Sequence, residues 1–340
     1  MFLREKSYND GIENNETTSL ERIIVMNIKT FFKNISPFNN RRDMPAALYI
    51  IKKMLAFFFI YGAAMVAGEG IIIGLLCAMG YNPLMGDMPG GHFPELSEYY
   101  GFAIFFAVAV LYARIFEKRG LRSLGFGRRG FDYLTGGAIA IVLLAVIVGV
   151  CCAAGVMDFT GMETNVDWVY LIALFGAFAI QSLAEETICR SFLQGSLAKK
   201  VSLPVAILVC STAFAIPHLP TVLECESAFA TVGVINLYLV SIVFSMLYVL
   251  RDNSYIVSGL HCVWNYVLNG IMGLPVSGSG AGDGGILRYE VTNNLLTGGE
   301  YGLEASAITT VVLGIAAAIL VIIYFKNKRG MKYELQQSAV

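Results

Sequence analysis

The chain has 340 residues, of which 56% are hydrophobic and only 14% charged, and its formal net charge is −1. Soluble domains carry about 25% charged residues, so this composition is that of a membrane protein. A near-neutral balance with no dense basic patch also excludes a nucleic-acid partner.

Residues 1–19 are polar and are expected to be disordered, with no apolar core of the kind a cleavable signal would carry. From Leu20 to Ile35 apolar residues recur at helical spacing, with Arg22, Lys29 and Lys33 between them. That pattern fits a helix lying on the membrane surface or a short cytoplasmic helix. A spanning helix needs about 20 mostly apolar residues. Eight segments approach that length: 54–79, 101–116, 134–156, 166–184 with a helical extension, 203–217, 229–250, 254–272 and 305–325. The fifth and seventh are short and polar for spans, so the expected fold is all-α and polytopic with about eight transmembrane helices.

Lys and Arg gather on the cytoplasmic side of a membrane. With the N-terminus inside, the cytoplasmic segments hold Arg41, Arg42, Lys52 and Lys53, then Lys118, Arg119, Arg122, Arg128 and Arg129, then Lys199 and Lys200, then Arg251, and finally Lys326, Lys328 and Arg329. The opposite loops, 80–100, 157–165, 218–228 and 273–304, carry Arg288 alone against Asp87, Glu95, Glu98, Asp158, Glu163, Glu224 and Glu226. Both termini are therefore expected in the cytoplasm; the short loops and tail suit a bacterial cell membrane. The outer stretch 277–285 is Gly/Ser-rich and flexible by composition, and no internal repeat divides the chain. The expected layout is a cytoplasmic segment 1–45, a helical membrane domain 46–330 and a tail 331–340. The seven cysteines (77, 151, 152, 189, 210, 225 and 262) show no CxxC spacing and read as small buried hydrophobes.

Ionisable groups inside spans cost about 2.5–3.5 kcal/mol each on insertion scales, so they are candidates for function. Glu69 and Arg114 lie in or near spans; Glu69 is alone in MVAGEGIII, and a structural partner such as Arg114 would be enough to explain it. The stretch LAEETICRSF, 183–192, closes an uncharged run with Glu185 and Glu186. Glu186 and Arg190 are four apart and share a helical face, whereas Glu185 points about 100° away. One carboxylate thus has a counter-ion, and the other is free to face a cavity, where desolvation suits it to act as a general base. Of the histidines, His92 lies in an outer loop and is given no role, while His218 in FAIPH and His261 in HCVWN end or interrupt apolar segments. His261 and Asn265 share a face, as do Phe214 and His218, and Pro217 breaks the helix ladder just before His218. Together these groups supply a base, imidazoles and an amide donor, the inventory that peptide hydrolysis requires. The same Glu185, Glu186, His218 and His261 would also serve a proton or cation relay in a transporter, or remain as a silent scaffold or immunity protein. The H-E-x-x-H of zincin-type site-2 proteases is absent; GAGD, 280–283, matches the G-x-G-D of presenilin-type proteases, but no second aspartate lies in a span.

The ordered motifs E-E-x-x-x-R at 185–190, F-x-x-x-H at 214–218 and H-x-x-x-N at 261–265 resemble those of the CPBP family of intramembrane proteases, without a departing residue. That family includes the type II CAAX prenyl endopeptidases and bacteriocin-processing, self-immunity and lysostaphin-resistance proteins, and the likeness covers roughly 165–270. The resemblance implies an active site between spans four, five and seven. The implied catalytic set is Glu185, Glu186, His218, His261 and Asn265, with Arg190 and Phe214 supporting. Glu185 and His218 would activate water, His261 and Asn265 would stabilise the oxyanion, and Glu186 with Arg190 would orient the helix. It leaves open both a metal-free site and a zinc site held by Glu185, His218 and His261. The implied substrate is a peptide or membrane protein, prenylated or leader-bearing, cut in or near the cytoplasmic half of the bilayer. Counting from the cytoplasmic helix ends puts His261 about 10 Å deep but His218 nearer ~22 Å, a mismatch that tilted or broken helices must absorb.

Overall fold

A long apolar run in lipid has no alternative to the helix, because every backbone N–H and C=O must find a partner within the run. The computed structural model describes residues 28–127, 129–278 and 285–337 and is helical nearly throughout. The stretch 1–19, the first part of the surface helix, Arg128 and the GAGD at 280–283 lie outside those residues. α1 (Ile28–Ile35) is followed by α2 (Ala46–Ala78), α3 (Phe93–Phe116), α4 (Asp132–Ala153), α5 (Trp168–Glu186), α6 (Leu203–Ala215), α7 (Ser227–Arg251), α8 (Tyr255–Tyr266) and α9 (Ala307–Gln337). The protein is an all-α, polytopic integral membrane protein.

Among the described residues, seven helical units are long and apolar enough to cross a membrane: α2, α3, α4, α5 continued to Leu197, α6 continued to Glu224, α7, and α9 as far as Lys328. The remaining expected segment is α8 with its continuation Val267–Ile271, which is shorter. Its polarity has a plain cause. Ile256 to Cys262, Trp264 and Asn265 are all buried, so α8 faces protein rather than lipid. α4 packs directly on it through glycines: a Cβ at Gly136 would lie 1.9 Å from the Ile256 carbonyl oxygen, and one at Gly259 2.0 Å from that of Tyr133. Small residues at such crossings let backbones approach where lipid offers no hydrophobic drive. The outer helices turn apolar side chains outward, among them Val66, Ile71, Leu111, Val142, Val311 and Ile315.

The two ends of the bundle differ. At one end Lys53 pairs with Glu117, Arg119 donates to Ser196 Oγ at 3.0 Å, and Arg251 pairs with Asp132 at 2.6 Å. Burial pushes the Glu117 carboxyl up, but Lys53 and Arg119 beside it prevail and hold it below the usual range. At the other end lies a two-stranded antiparallel ribbon of β1 (Met157–Met162) and β2 (Leu287–Val291), pairing Met157 with Val291 and Phe159 with Tyr289. The sequence gives no sign of this ribbon, because each strand is short and its partner lies far along the chain. Near it Tyr170 donates to Glu95 at 2.7 Å, and His92 stacks on Tyr170.

Arg114 is not the structural partner of Glu69. α2 and α3 run antiparallel, with Gly68 level with Ile104 and Phe59 level with Tyr112. Glu69 therefore sits about 15 Å along the bundle from Arg114, at 1.5 Å per residue. Both residues are exposed.

Candidate active site

The first part of the site lies at the end of α5. Asp167 caps the first turn, accepting from the Tyr170 N–H at 3.0 Å, and the helix carries Gln181, Glu185 and Glu186 in its last two turns. The backbone then widens into a π-helix over Thr187–Gln194. Thr187 Oγ1 donates to the Leu183 carbonyl at 2.6 Å, a back-bond that competes with the helical ladder. Arg119 donates to the Ser191 carbonyl at 2.8 Å and to the Phe192 carbonyl at 3.4 Å, taking up acceptors in the widened turns. π-turns are rare and gather at functional sites.

The adjacent glutamates diverge as helical geometry requires. Glu186 Oε1 accepts from Arg190 Nη1 at 2.9 Å, and neither side chain is exposed at all. Arg190 Nη2 donates to Ser241 Oγ at 2.8 Å, and the guanidinium lies 4.4 Å from the Phe214 ring centre and 5.0 Å from that of Phe244. Glu185 has no arginine. Its Oε1 accepts from Gln181 Nε2 at 3.3 Å. Its Oε2 is buried without a hydrogen-bond partner, 3.9 Å from His261 Nε2.

His261 comes from α8 and lies between the two carboxylates. Its Nδ1 meets Glu186 Oε1 at 3.1 Å, and since a carboxylate only accepts, Nδ1 carries the proton. That leaves Nε2 toward Glu185. Asn265, one turn on, donates from Nδ2 to Gln181 Oε1 at 3.2 Å. His218 ends a tight 3-10 turn, Ile216–His218, into which α6 collapses at Pro217. Its Nδ1–H donates to the Phe214 carbonyl at 2.9 Å, so Nε2 keeps its lone pair.

Phe214, His218, His261 and Asn265 line one small cavity, of about 40 Å³, which continues past Trp264 toward Glu304. Glu185 and Glu186 stand behind His261 rather than in the cavity wall, and no hydrogen bond or ion pair joins Glu185 to His218 among the described residues. The mismatch in counted depth does not keep the two histidines apart, because His218 and His261 line the same cavity. Four contributors escape sequence reasoning. Gln181 was detectable, being a polar residue one turn before Glu185. Ser241 and Phe244 sit in an apolar span with no motif. Glu304, which accepts from Trp264 Nε1 at 2.9 Å and from the Ser277 N–H, comes from a distant connection.

A zinc ion held by two imidazoles and a carboxylate needs their donor atoms about 2.0–2.2 Å from one point. Among the described residues no group of three or more His, Cys, Asp or Glu side chains is gathered for a metal. The Nδ1 contacts of the two histidines leave each Nε2 available to a metal, but Glu185 is not among the residues that line the cavity with His218 and His261, so the three do not form such a set as they stand.

No curated protein matches the chain. Residues 167–267 match the family model described as Rce1-like, type II CAAX prenyl endopeptidase. The matched stretch runs from the cap of α5 through α8 and contains Gln181, Glu185, Glu186, Arg190, Phe214, His218, His261 and Asn265. Between the start of α5 and the end of α8 the chain is thus similar to the Rce1-like type II CAAX prenyl endopeptidases, in keeping with the CPBP group that its motifs resemble.

Proposed function

We propose that this protein is an intramembrane endopeptidase that hydrolyses a peptide bond with water activated by Glu185 and His218. The observation that carries the reading is the unpartnered, buried Glu185 Oε2 beside His261, whose ring lines one cavity with His218 and Asn265. A buried polar atom without a partner calls for one, and a reacting water supplies it. In the proposed step a water gives a proton to Glu185 and its oxygen adds to the substrate carbonyl carbon, with His218 Nε2 accepting from the second O–H. The carbonyl electrons move onto oxygen, and the Asn265 Nδ2–H donates to that oxyanion. His261 joins it when Nε2 also carries a proton, the ring then being a cation between Glu185 and Glu186. Collapse breaks the C–N bond, and the proton held by Glu185 goes to the leaving amine. Glu186 and Arg190 do not touch substrate; they hold His261 and α5 in place.

The substrate is a peptide or membrane-protein segment, either a prenylated CAAX terminus, as the family description names, or an unmodified leader. The basic end of the bundle is proposed to face the cytoplasm, which puts the site in the cytoplasmic half of the bilayer, since His261 is two turns from Ser254. The test uses the full chain in proteoliposomes with two quenched fluorogenic probes, a farnesylated CAAX peptide and a degenerate unmodified peptide pool. Wild type should cleave at least one, and Glu185→Ala and His218→Ala should each lose more than about 100-fold, the range general acid–base groups contribute. Cleavage of neither probe, or undiminished cleavage by both variants, overturns the reading. Proton flux that needs the same residues would favour a relay instead.

A further inference from the structure

Hydrolysis as proposed above leaves the direction of the Asn265 amide unexplained. A side-chain amide has an acceptor end and a donor end of nearly equal size, and only the donor end can stabilise an oxyanion. Turned the wrong way, Asn265 would present a carbonyl oxygen to the developing negative charge. Nothing on α8 fixes the choice: His261 is engaged with Glu186, and Trp264 Nε1 donates to Glu304.

We infer that Gln181 is the positioning residue that sets the direction of the Asn265 amide, through a hydrogen-bonded chain that begins at Glu185; this rests on the protease reading. Glu185 Oε1 is a carboxylate oxygen and can only accept, so Gln181 must turn its Nε2 toward it, at 3.3 Å. That commits Gln181 Oε1 to the other side, where it accepts from Asn265 Nδ2 at 3.2 Å. The Asn265 amino group is thereby identified at the Gln181 side, and its second N–H remains for the cavity that Asn265 lines. Each link leaves one orientation for the next, so the charge on Glu185 dictates the polarity of two amides. The chain also survives the reaction. The proton from water goes to Oε2, the oxygen without a partner, so Oε1 still accepts from Gln181 throughout. Placement follows from the helix: Gln181 and Glu185 are one turn apart on the same face of α5, which packs against α8.

The test is a double-mutant cycle on the full chain in proteoliposomes, with the fluorogenic probe that the wild type cleaves. Gln181→Leu keeps the volume and removes both hydrogen bonds; Gln181→Met serves if the leucine variant does not fold, as judged by its melting temperature. Either should lower kcat about 10- to 100-fold with KM changed less than about threefold, because the oxyanion forms only in the transition state. In an Asn265→Ala background the same substitution should change kcat by less than about threefold, since no amide is left to orient. A full-sized loss in that background marks Gln181 as a general packing residue and overturns the inference. So does an undiminished kcat in an otherwise wild-type chain. Both outcomes leave the protease reading intact where wild type cleaves and Glu185→Ala does not. A wild type that cleaves neither probe overturns the protease reading and, with it, this role for Gln181.

Discussion

Arg190 is a cation with no exposed surface, flanked by the Phe214 and Phe244 rings and tied to Glu186 and Ser241. Its loss should be felt mainly through what it leaves behind. Arg190→Ala strands the Glu186 charge in a dry interior, which typically costs about 3–5 kcal/mol, whereas removing both members with Arg190→Met and Glu186→Leu leaves no charge unpaired. The single variant should therefore melt well below the wild type, and the double variant should recover much of that loss. Probe cleavage should stay low in the double variant even where its stability recovers, because His261 has lost the oxygen that fixes its Nδ1 proton. Thermal melting followed by intrinsic fluorescence, paired with the cleavage assay, checks this; a single variant that melts with the wild type refutes it. The Glu186–Arg190 pair was legible in the sequence, since four-residue spacing on a helix is local geometry. The Glu186–His261 contact was not. Spacing says which residues share a face, but not how far α5 is rotated against α8.

That rotation is set where helices touch, and at the α4–α8 crossing it is set by glycine. Gly259 approaches the Tyr133 backbone so closely that an added Cβ would meet the carbonyl oxygen at 2.0 Å, and no flexible side chain is there to give way. Gly259→Ala must therefore separate the helices. His261 lies two residues further on, and an error of about 1 Å at a catalytic group can cost 10²-fold in rate. The variant should lose about 1–3 kcal/mol of stability, as overpacking does. Activity should fall more than that loss alone explains, with cleavage depressed even at temperatures where the protein remains folded. Gly62 in α2, with open space around it, is the control, and Gly62→Ala should leave cleavage unchanged. Equal cleavage by the two variants would show that the crossing does not position the site. At this scale the sequence was readable wherever an element faces lipid, because one face then stays apolar for its whole length. It was misleading for α8, whose Ser258, His261 and Asn265 look too polar for a span because they face protein. It was silent on the β1–β2 ribbon, whose pairing is non-local.

Membrane class follows from composition alone, and the distribution of charge carries an expectation of sidedness. The structure adds a physical partition. The segments that carry Lys53, Glu117, Arg119, Asp132 and Arg251 converge on one end of the bundle, while β1, β2, Glu95 and Glu163 occupy the other. The exposed Arg122 belongs to the first end and the exposed Asp158 to the second. Since basic residues are retained on the cytoplasmic side, cysteines at these positions should report opposite compartments. The background for that measurement is a chain with Cys77, Cys152 and Cys225, the thiols that are not buried, changed to serine. In intact cells a membrane-impermeant maleimide should label Asp158→Cys at once and Arg122→Cys only after permeabilisation. The reverse pattern would invert the protein, and with it the site. Because His261 is tied to Ser254 by two turns of α8, and Ser254 to the Leu124 carbonyl at the basic end, the proposed site cannot change leaflet independently of that end. Labelling at two surface positions therefore decides which half of the bilayer presents the scissile bond.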